Sequence, residues 1–414
     1  MGGTGVEQWA SPSALEQCTG LWPQGPSPNR NAKAGCHGTA CAGMTLGVCE
    51  SPNTTQQWER AGPWCSGLWA QMMTPLLPLS LRAVLFYQGE NNNCAKEADG
   101  NFHNDSRSCP PPVGGRFYAC QFPALIRSWR SAFNPPKIAS ADEAPLPFLF
   151  AELDGFAASN FAVIRAAQMA TAAQDPHSRM IVNHDLGTLN DPGGKIHSPR
   201  KEELGRRFAL HAAQLVYGAT AGSAPARGPS LASASATATE ITARFQAGDR
   251  STERLYLHGT AGCIGPNETS PCCGPGAAPR ACCNPKAKTP CTSQQCTHPR
   301  VGIRCCDTNP FSIGWATDAG AQLTWIRAAP NTSRVDGLAV VLALPEPPLP
   351  GAKPRGLRLN WEAYPNCAVY DAPGGPAAGA WNVKGAVAKG CKGYAECVYE
   401  GSALPALPAQ IEVT

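Results

Sequence analysis

Short apolar runs alternate with stretches of helical periodicity over the first half of the chain. Three apolar runs predict strands buried on both faces, as in a parallel sheet: 83–87, 148–151 and 180–182. Three further stretches carry apolar side chains at helical spacing and predict covering helices: 121–133, 161–174 and 204–215. Strands that alternate with helices in this way predict a parallel α/β sheet.

From about residue 222 the pattern changes to short strand-like segments. They predict a second, mostly β module, with strands at 232–246, 255–257, 338–341 and 357–361. We therefore divide the chain into an α/β domain over 1–220 and a β-rich module over 221–414. Cysteine-containing insertions interrupt both parts at about 19–66, 94–119 and 263–306. The last holds nine cysteines and predicts disulfides rather than a zinc site at Cys291, Cys296 and His298, because oxidised sulfurs do not ligate zinc.

A polar cluster, Gln88-Gly89-Glu90-Asn91-Asn92, follows the first apolar run directly. Open α/β sheets keep their ligand crevices at the carboxyl ends of strands. A glycine followed by amides and a carboxylate offers hydrogen-bond donors and an acceptor within one turn, which suits a developing oxyanion. The simpler interpretation of the same residues is a polar strand-to-helix loop with an asparagine cap.

Composition and charge indicate the cellular compartment of the protein and exclude some classes of partner. The chain has 20 cysteines, and Asn-X-Ser/Thr sequons begin at Asn53, Asn104, Asn267 and Asn331, which predicts a disulfide-bonded glycoprotein that is secreted or lumenal. A net charge of +4 without a basic run argues against nucleic acid as a partner. No apolar stretch approaches the ~18–20 residues needed to cross a bilayer.

Four ordered blocks carry a family resemblance: GGTGVEQWASP at 2–12, YQGENN at 87–92, DLG at 185–187, and IHSPRK at 196–201 with GRR at 205–207. They resemble the GGTxIExWxSP, YQGESN, DLGD and IHPRxK…GRR blocks of the sialate O-acetylesterase family of SGNH hydrolases. The resemblance implies a flavodoxin-like, doubly wound sheet. It also implies a serine esterase, without a cofactor, that removes O-acetyl groups from sialic acid or a related sugar.

Site residues follow from the resemblance block by block. His197 matches the family's histidine and is the expected general base. The family's usual Asp, three residues before that histidine, is Gly194 here, so Asp191 is our choice to orient His197; Asp185 or a backbone carbonyl are the alternatives. The oxyanion and substrate groups implied by the resemblance are Gly3 (or Gly2), Gln88, Asn92 and Glu90, of which Glu90 holds the turn or contacts the sugar.

The nucleophile is the missing component. No Gly-[Asp/Gln]-Ser-Asn motif occurs in the 414 residues. Ser66 lies after the GGT block, in the wrong topological place, and Ser198 is expected to point away from His197. We therefore expect that the chain lacks the first, central strand of the sheet and is truncated at its N-terminus. The same loss accounts for the absent signal peptide and for Met1 at the family's Trp position.

Two rival functions remain open at this point. A catalytically dead extracellular glycan-binding protein fits the missing serine, whereas the retention of Gly3, Gln88, Asn92 and His197 argues against it. A disulfide-rich wall or matrix protein fits the content of Gly, Pro and Cys, whereas the α/β periodicity over 81–217 argues against it. The sequence leaves the oligomeric state undetermined.

Overall fold

The computed structural model describes residues 4–18, 21, 66–77, 79–92, 115–133, 145–155, 161–186, 197–198, 201–259, 309–329, 333–361, 367–371 and 404–414. The chain divides into two compact units. The first comprises Met1–Leu153 with Ser159–Met180, and the second comprises Asp154–Ala158 with Ile181–Thr414. The predicted domain boundary at residue 220 stays a prediction, because compactness alone does not define a domain.

The first unit contains a small α/β sheet. Its helices are α1 (Val6–Trp9), α2 (Pro12–Glu16), α3 (Gly115–Phe133) and α4 (Phe161–Gln174). Its strands are β1 (Val84–Phe86), β2 (Phe148–Ala151) and β3 (Ser178–Ile181), in the order β1-β2-β3. Strands β1 and β2 are parallel, with Val84 opposite Phe148. The predicted combination of parallel strands and helices is confirmed in this coarse form.

Three single turns complete the first unit: a π-helical turn at Trp69–Met73 and 3₁₀ turns at Thr74–Leu76 and Glu90–Asn92. Helix α2 begins after Ser11, because the Ser11 hydroxyl accepts a hydrogen bond from the Ala14 N–H at 3.3 Å and caps the helix. Pro12 occupies the first helical position, where its missing N–H costs nothing.

Helix α3 begins at Gly115, six residues before the predicted start at 121, so the polar loop predicted over 94–119 is wrong for its last five residues. Pro123 lies inside the helix and removes one backbone hydrogen bond, a cost of ~3 kcal/mol. Phe117 and Tyr118 are fully buried and extend the apolar face that continues with Phe122. Their burial offsets the proline, at roughly 1.5–3 kcal/mol for each large apolar side chain.

Aromatic packing holds α3 against the sheet. The Phe122 ring meets the Phe150 ring edge-on at 4.8 Å between centroids, and Phe86 stacks on Phe122 at 5.7 Å. A disulfide between Cys18 and Cys120 ties α3 to the segment after α2, across 102 residues of sequence. The carboxyl end of β1 is thereby held beside α3.

Over the residues that the structure describes, the second unit contains one helix and ten antiparallel strands. The helix is α5 (Lys201–Leu215). The strands are β4 (Ser230–Ala236), β5 (Glu240–Gln246), β6 (Tyr256–Gly259), β7 (Phe311–Ala316), β8 (Thr324–Arg327), β9 (Ser333–Asp336), β10 (Ala339–Ala343), β11 (Lys353–Leu359), β12 (Cys367–Tyr370) and β13 (Ala409–Glu412). They form sheets of order β4-β5-β10-β9, β13-β11-β7-β8 and β12-β6. The two four-stranded sheets share one apolar core, to which each contributes fully buried side chains such as Ile241 and Leu357.

The β-rich character predicted for the C-terminal half is confirmed. The insertion at 263–306 lies outside the described residues, as do Cys291, Cys296, His298 and most of the other two predicted insertions. Within the described part of the chain, the helices are too short or too polar to cross a membrane.

Candidate functional site

The polar cluster after β1 folds into a tight turn. Gly89 has a φ of +143°, a backbone conformation that residues with a side chain rarely adopt. A Cβ at this position would lie 3.2 Å from Ile164 Cγ2 and 3.4 Å from Leu153 Cδ1. The Asn92 N–H donates to the Gly89 carbonyl at 3.1 Å and closes the turn. Glycine is required at position 89 because the chain both turns and packs closely there.

The turn brings Gln88 and Asn92 together, as the resemblance implied for two neighbouring site residues. Both are buried, with 7% and 1% of their surface exposed. Gln88 Nε2 donates to Asn92 Oδ1 at 2.6 Å and to the Thr4 carbonyl at 3.1 Å, while the Tyr118 hydroxyl donates to Gln88 Oε1 at 3.3 Å. Both amide hydrogens of Gln88 are engaged, so an oxyanion gains a hydrogen bond from this amide only by replacing one acceptor. The oxyanion role of Gln88 stays a prediction.

Glu7 is a buried partner of this turn that the sequence interpretation did not single out. Its Oε2 accepts a hydrogen bond from Asn92 Nδ2 at 2.7 Å. Burial raises the pKa of the Glu7 carboxyl from 4.5 to about 7, against the opposing effect of hydrogen bonds from its own N–H and from Asn92. The available signal was its place inside the GGTGVEQW block, one residue after Val6, which is also buried.

Two further polar side chains that sequence reasoning did not assign to the site, Gln168 and Tyr118, contact the turn from helices that are distant in sequence. Gln168 of α4 donates from Nε2 to the Gln88 carbonyl at 3.3 Å and to the Ala151 carbonyl at 3.1 Å. Its Oε1 accepts from the Leu153 N–H at 2.9 Å. Burial raises the pKa of Tyr118 far above its ordinary value, so this hydroxyl remains a neutral donor. Gln168 thus joins the carboxyl ends of β1 and β2.

The remaining predicted site residues are Glu90, Gly3, Asp191 and His197. Glu90 is half-buried in the turn beside Asn92. Gly3 and Asp191 lie outside the described residues. His197 belongs to the second unit and is exposed, and its neighbour Ser198 is buried and donates from Oγ to the Leu186 carbonyl at 3.0 Å. The role of His197 as a base stays a prediction, whereas the anchoring of the adjacent residue is observed.

Ser66, the second serine considered above, is also buried. Only 1% of its surface is exposed, and its backbone has a φ of +45°. Its Oγ is buried without a hydrogen-bond partner in the described part of the chain. Because the hydroxyl is buried, an ester does not reach it in this conformation.

Asp185, the alternative orienting carboxylate, is occupied by an ion pair in the second unit. Arg207 donates to its two oxygens at 2.6 and 2.8 Å, and the Tyr370 hydroxyl donates to Oδ2 at 3.1 Å. Burial alone raises the pKa of Asp185, but the Arg207 charge and these hydrogen bonds outweigh it and hold the pKa below its usual range. This arrangement supports a structural role for Asp185; its orienting role stays a prediction.

Several known proteins are similar in sequence to this chain. No protein-family model matches the chain. Rat sialate O-acetylesterase is 31% identical over 243 residues, which cover 52% of this chain and 38% of the rat protein. The mouse protein of that name is 30% identical over 163 residues (37% and 27%), and the human one 28% identical over 228 residues (52% and 34%). This chain is a relative of the sialate O-acetylesterases.

The relationship confirms the family that the four blocks resembled. The chain spans less than two fifths of the length of these relatives, at 38%, 27% and 34%. A carbohydrate acetylesterase from Xanthomonas citri, known from its crystal structure, aligns with 83% of this chain and 53% of its own, with 22% identity and a TM-score of 0.47.

Proposed function

We propose that this chain is part of a carboxylic ester hydrolase that removes O-acetyl groups from sialic acid or a related acetylated sugar. The observation that carries the proposal is the buried amide cluster of Gln88 and Asn92 at the carboxyl end of a parallel strand, in a relative of sialate O-acetylesterases. Ester hydrolysis needs donors for an oxyanion at such a place. Gln88 Nε2 supplies such a donor once it exchanges one of its two internal acceptors.

In the proposed reaction a serine attacks the acetyl carbonyl while His197 takes the serine's proton. The resulting oxyanion accepts hydrogen bonds from the Gly3 N–H and from Gln88 Nε2. The bond from Gln88 to the Thr4 carbonyl, at 3.1 Å, is the one exchanged for the oxyanion, while the shorter bond to Asn92, at 2.6 Å, holds the amide. His197 returns the proton to the departing sugar alcohol and then activates the water that releases acetate. Asp191 orients His197 in this scheme.

The nucleophile is proposed to lie upstream of these residues, on the first strand of a flavodoxin-like sheet. Strand β1 is at an edge of the described sheet, and its edge position supports a further strand beside it. Its Leu85 is 63% exposed although the paired Leu149 is fully buried. Because parallel sheets are ordinarily covered on both faces, this exposure supports a further helix over the face that carries Leu85. Mapping the 5′ end of the transcript tests the proposal. A message that starts at Met1 and encodes no upstream Gly-Gln-Ser-Asn would contradict it.

The mature protein is proposed to be secreted or lumenal, in the extracellular space or the lysosome. The disulfide between Cys18 and Cys120 supports an oxidising compartment, since such bonds are rare in the cytosol. The four sequons point the same way but lie outside the described residues.

The esterase proposal is tested by acetate release from O-acetylated sialic acid, using protein expressed from the complete transcript. A catalytically dead glycan-binding protein is the second candidate, favoured by the internal use of both Gln88 amide hydrogens. That protein would bind the acetylated sugar and release no acetate. Binding without release would therefore replace the first proposal by the second.

Replacement of Gln88 by alanine is expected to lower kcat roughly 10²-fold or more, because an oxyanion donor acts on the transition state. The exposed Gln17 provides the control, and Gln17→Ala should leave kcat unchanged. Steady-state kinetics on the acetylated sugar measure both variants after a thermal melt has shown that each is folded. A change confined to KM would make Gln88 a substrate contact instead.

A further inference from the structure

The Glu7 carboxyl occupies a place that the surrounding chain is shaped to accept. Its side chain lies over Gly5, where an added Cβ would fall 2.1 Å from Glu7 Oε1. Any residue other than glycine at position 5 would therefore displace the carboxyl. Only 6% of the Glu7 surface is exposed.

Glu7 determines which way two amides point. Its Oε2 accepts from Asn92, so the nitrogen end of that amide faces Glu7 and the oxygen end faces the other way. Asn92 Oδ1 then accepts from the Val6 N–H at 2.8 Å and from Gln88 Nε2 at 2.6 Å. A carboxyl group on α1 thereby sets the orientation of the Gln88 amide through a single intermediate side chain.

Among the described residues, no basic side chain forms an ion pair with Glu7. Tyr118 on α3 is an acidic group, and the charges of both Glu7 and Glu90 raise its pKa further. The π-helical turn at Trp69–Met73 carries no titratable side chain. The arginines of α3 are directed to other partners: Arg116 to the Phe117 ring, Arg127 to Gln17, and Arg130 to Asp175.

We propose that Glu7 is a positioning residue whose carboxyl holds Asn92, and through it the Gln88 amide, in the orientation that oxyanion binding requires. This inference rests on the proposed esterase function. Ionisation of Glu7 strengthens the hydrogen bond from Asn92, but the cost of a buried charge is larger, so the net effect is to destabilise the packing of α1 against the turn after β1. Activity then falls as the pH rises through about 7, where the Glu7 carboxyl ionises.

The first test is the pH profile of acetate release by the full-length enzyme and three variants. The wild type should lose kcat on the alkaline side of pH 7, and Glu7→Gln, a neutral isostere, should not show this loss. Glu7→Ala removes the acceptor for Asn92 and should lower kcat roughly 10²-fold at every pH, as loss of the Gln88 donor would. Glu16→Gln replaces an exposed carboxylate of the same unit and should keep the wild-type profile. An alkaline loss retained in Glu7→Gln would overturn the proposal.

The second test needs no activity and separates failure of this inference from failure of the esterase proposal. The folded-state pKa of Glu7 is raised, so its stabilising contribution is complete below about pH 4.5 and is lost as the pH rises through about 7. The folding equilibrium constant of the wild type, relative to that of Glu7→Gln, should fall about 10²-fold between pH 5 and 8. Denaturant unfolding measures it. If the ratio of the two folding constants did not depend on pH, the raised pKa of Glu7 would be refuted. If the ratio fell as expected but no variant released acetate, only the esterase proposal would be refuted.

Discussion

Replacement of His197 by alanine in the full-length enzyme is expected to reduce acetate release from an acetylated sugar by roughly 10³-fold or more. A serine hydroxyl is a weak nucleophile until a base takes its proton, and loss of a general base costs typically 10²–10⁴-fold. His197 is exposed, and the buried Ser198 beside it anchors the segment to the Leu186 carbonyl. The variant should therefore fold normally, and the loss should appear in kcat.

His177→Ala serves as the control for His197→Ala. His177 is a half-buried histidine in the turn before β3, and no catalytic role is assigned to it. Its replacement should leave kcat within a factor of about two, which is far smaller than the loss of at least roughly 10²-fold that removal of a general base causes. Turnover retained by His197→Ala would remove His197 from the mechanism and leave the base unidentified.

Replacement of Arg207 by alanine is expected to destabilise the second unit by about 3–5 kcal/mol, because it leaves the buried Asp185 carboxylate without its charged partner. The side chains of Arg207 and Asp185 are 2% and 0% exposed, and Arg207 Nη1 lies 2.6 Å from Asp185 Oδ1. Arg207 also donates to the Val182 carbonyl and to Glu203, each at 2.9 Å, so the variant removes these hydrogen bonds as well, although Glu203 keeps its bonds from Arg206 and Asp185 keeps its bond from Tyr370. Denaturant unfolding measures the loss.

Two comparisons make the Arg207 experiment specific. Arg334 pairs with Glu240 on the surface of the same unit, at 62% and 36% exposure, and Arg334→Ala should leave the midpoint of unfolding unchanged. Asp185→Asn combined with Arg207→Ala should recover part of the lost stability, because it removes the orphaned charge. Equal destabilisation by the single and double variants would show that the ion pair is not the cause.

Much of the first unit follows from local sequence pattern. The strand at 148–151 and the helix at 161–174 occur where the apolar pattern predicts them. Burial of one face of a helix leaves apolar residues at helical spacing in the sequence, and burial of both faces of a strand leaves a short continuous apolar run. The resemblance to the sialate O-acetylesterases can also be recognised from local sequence, because each of the four matching blocks is a short segment of neighbouring residues.

Helix α3 shows where local pattern is insufficient. Pro123 favours a helix that starts close to it, yet the helix starts at Gly115. The additional turns are held by the burial of Phe117 and Tyr118 and by the disulfide from Cys120 to Cys18. These are tertiary contacts, and neither their energy nor the choice among 20 cysteines can be read from neighbouring residues.

Sequence by itself determined the family, the α/β and β-rich halves, and the turn that carries Gln88 and Asn92. The tertiary structure alone decided what surrounds that turn: Glu7 contacts Asn92 from 85 residues away, Tyr118 contacts Gln88 from 30, and Gln168 contacts it from 80. It also showed that both amide hydrogens of Gln88 already have acceptors. The physical reason is that hydrogen-bond partners are chosen by proximity in the folded chain, and polar side chains leave no periodic signal from which that proximity can be inferred.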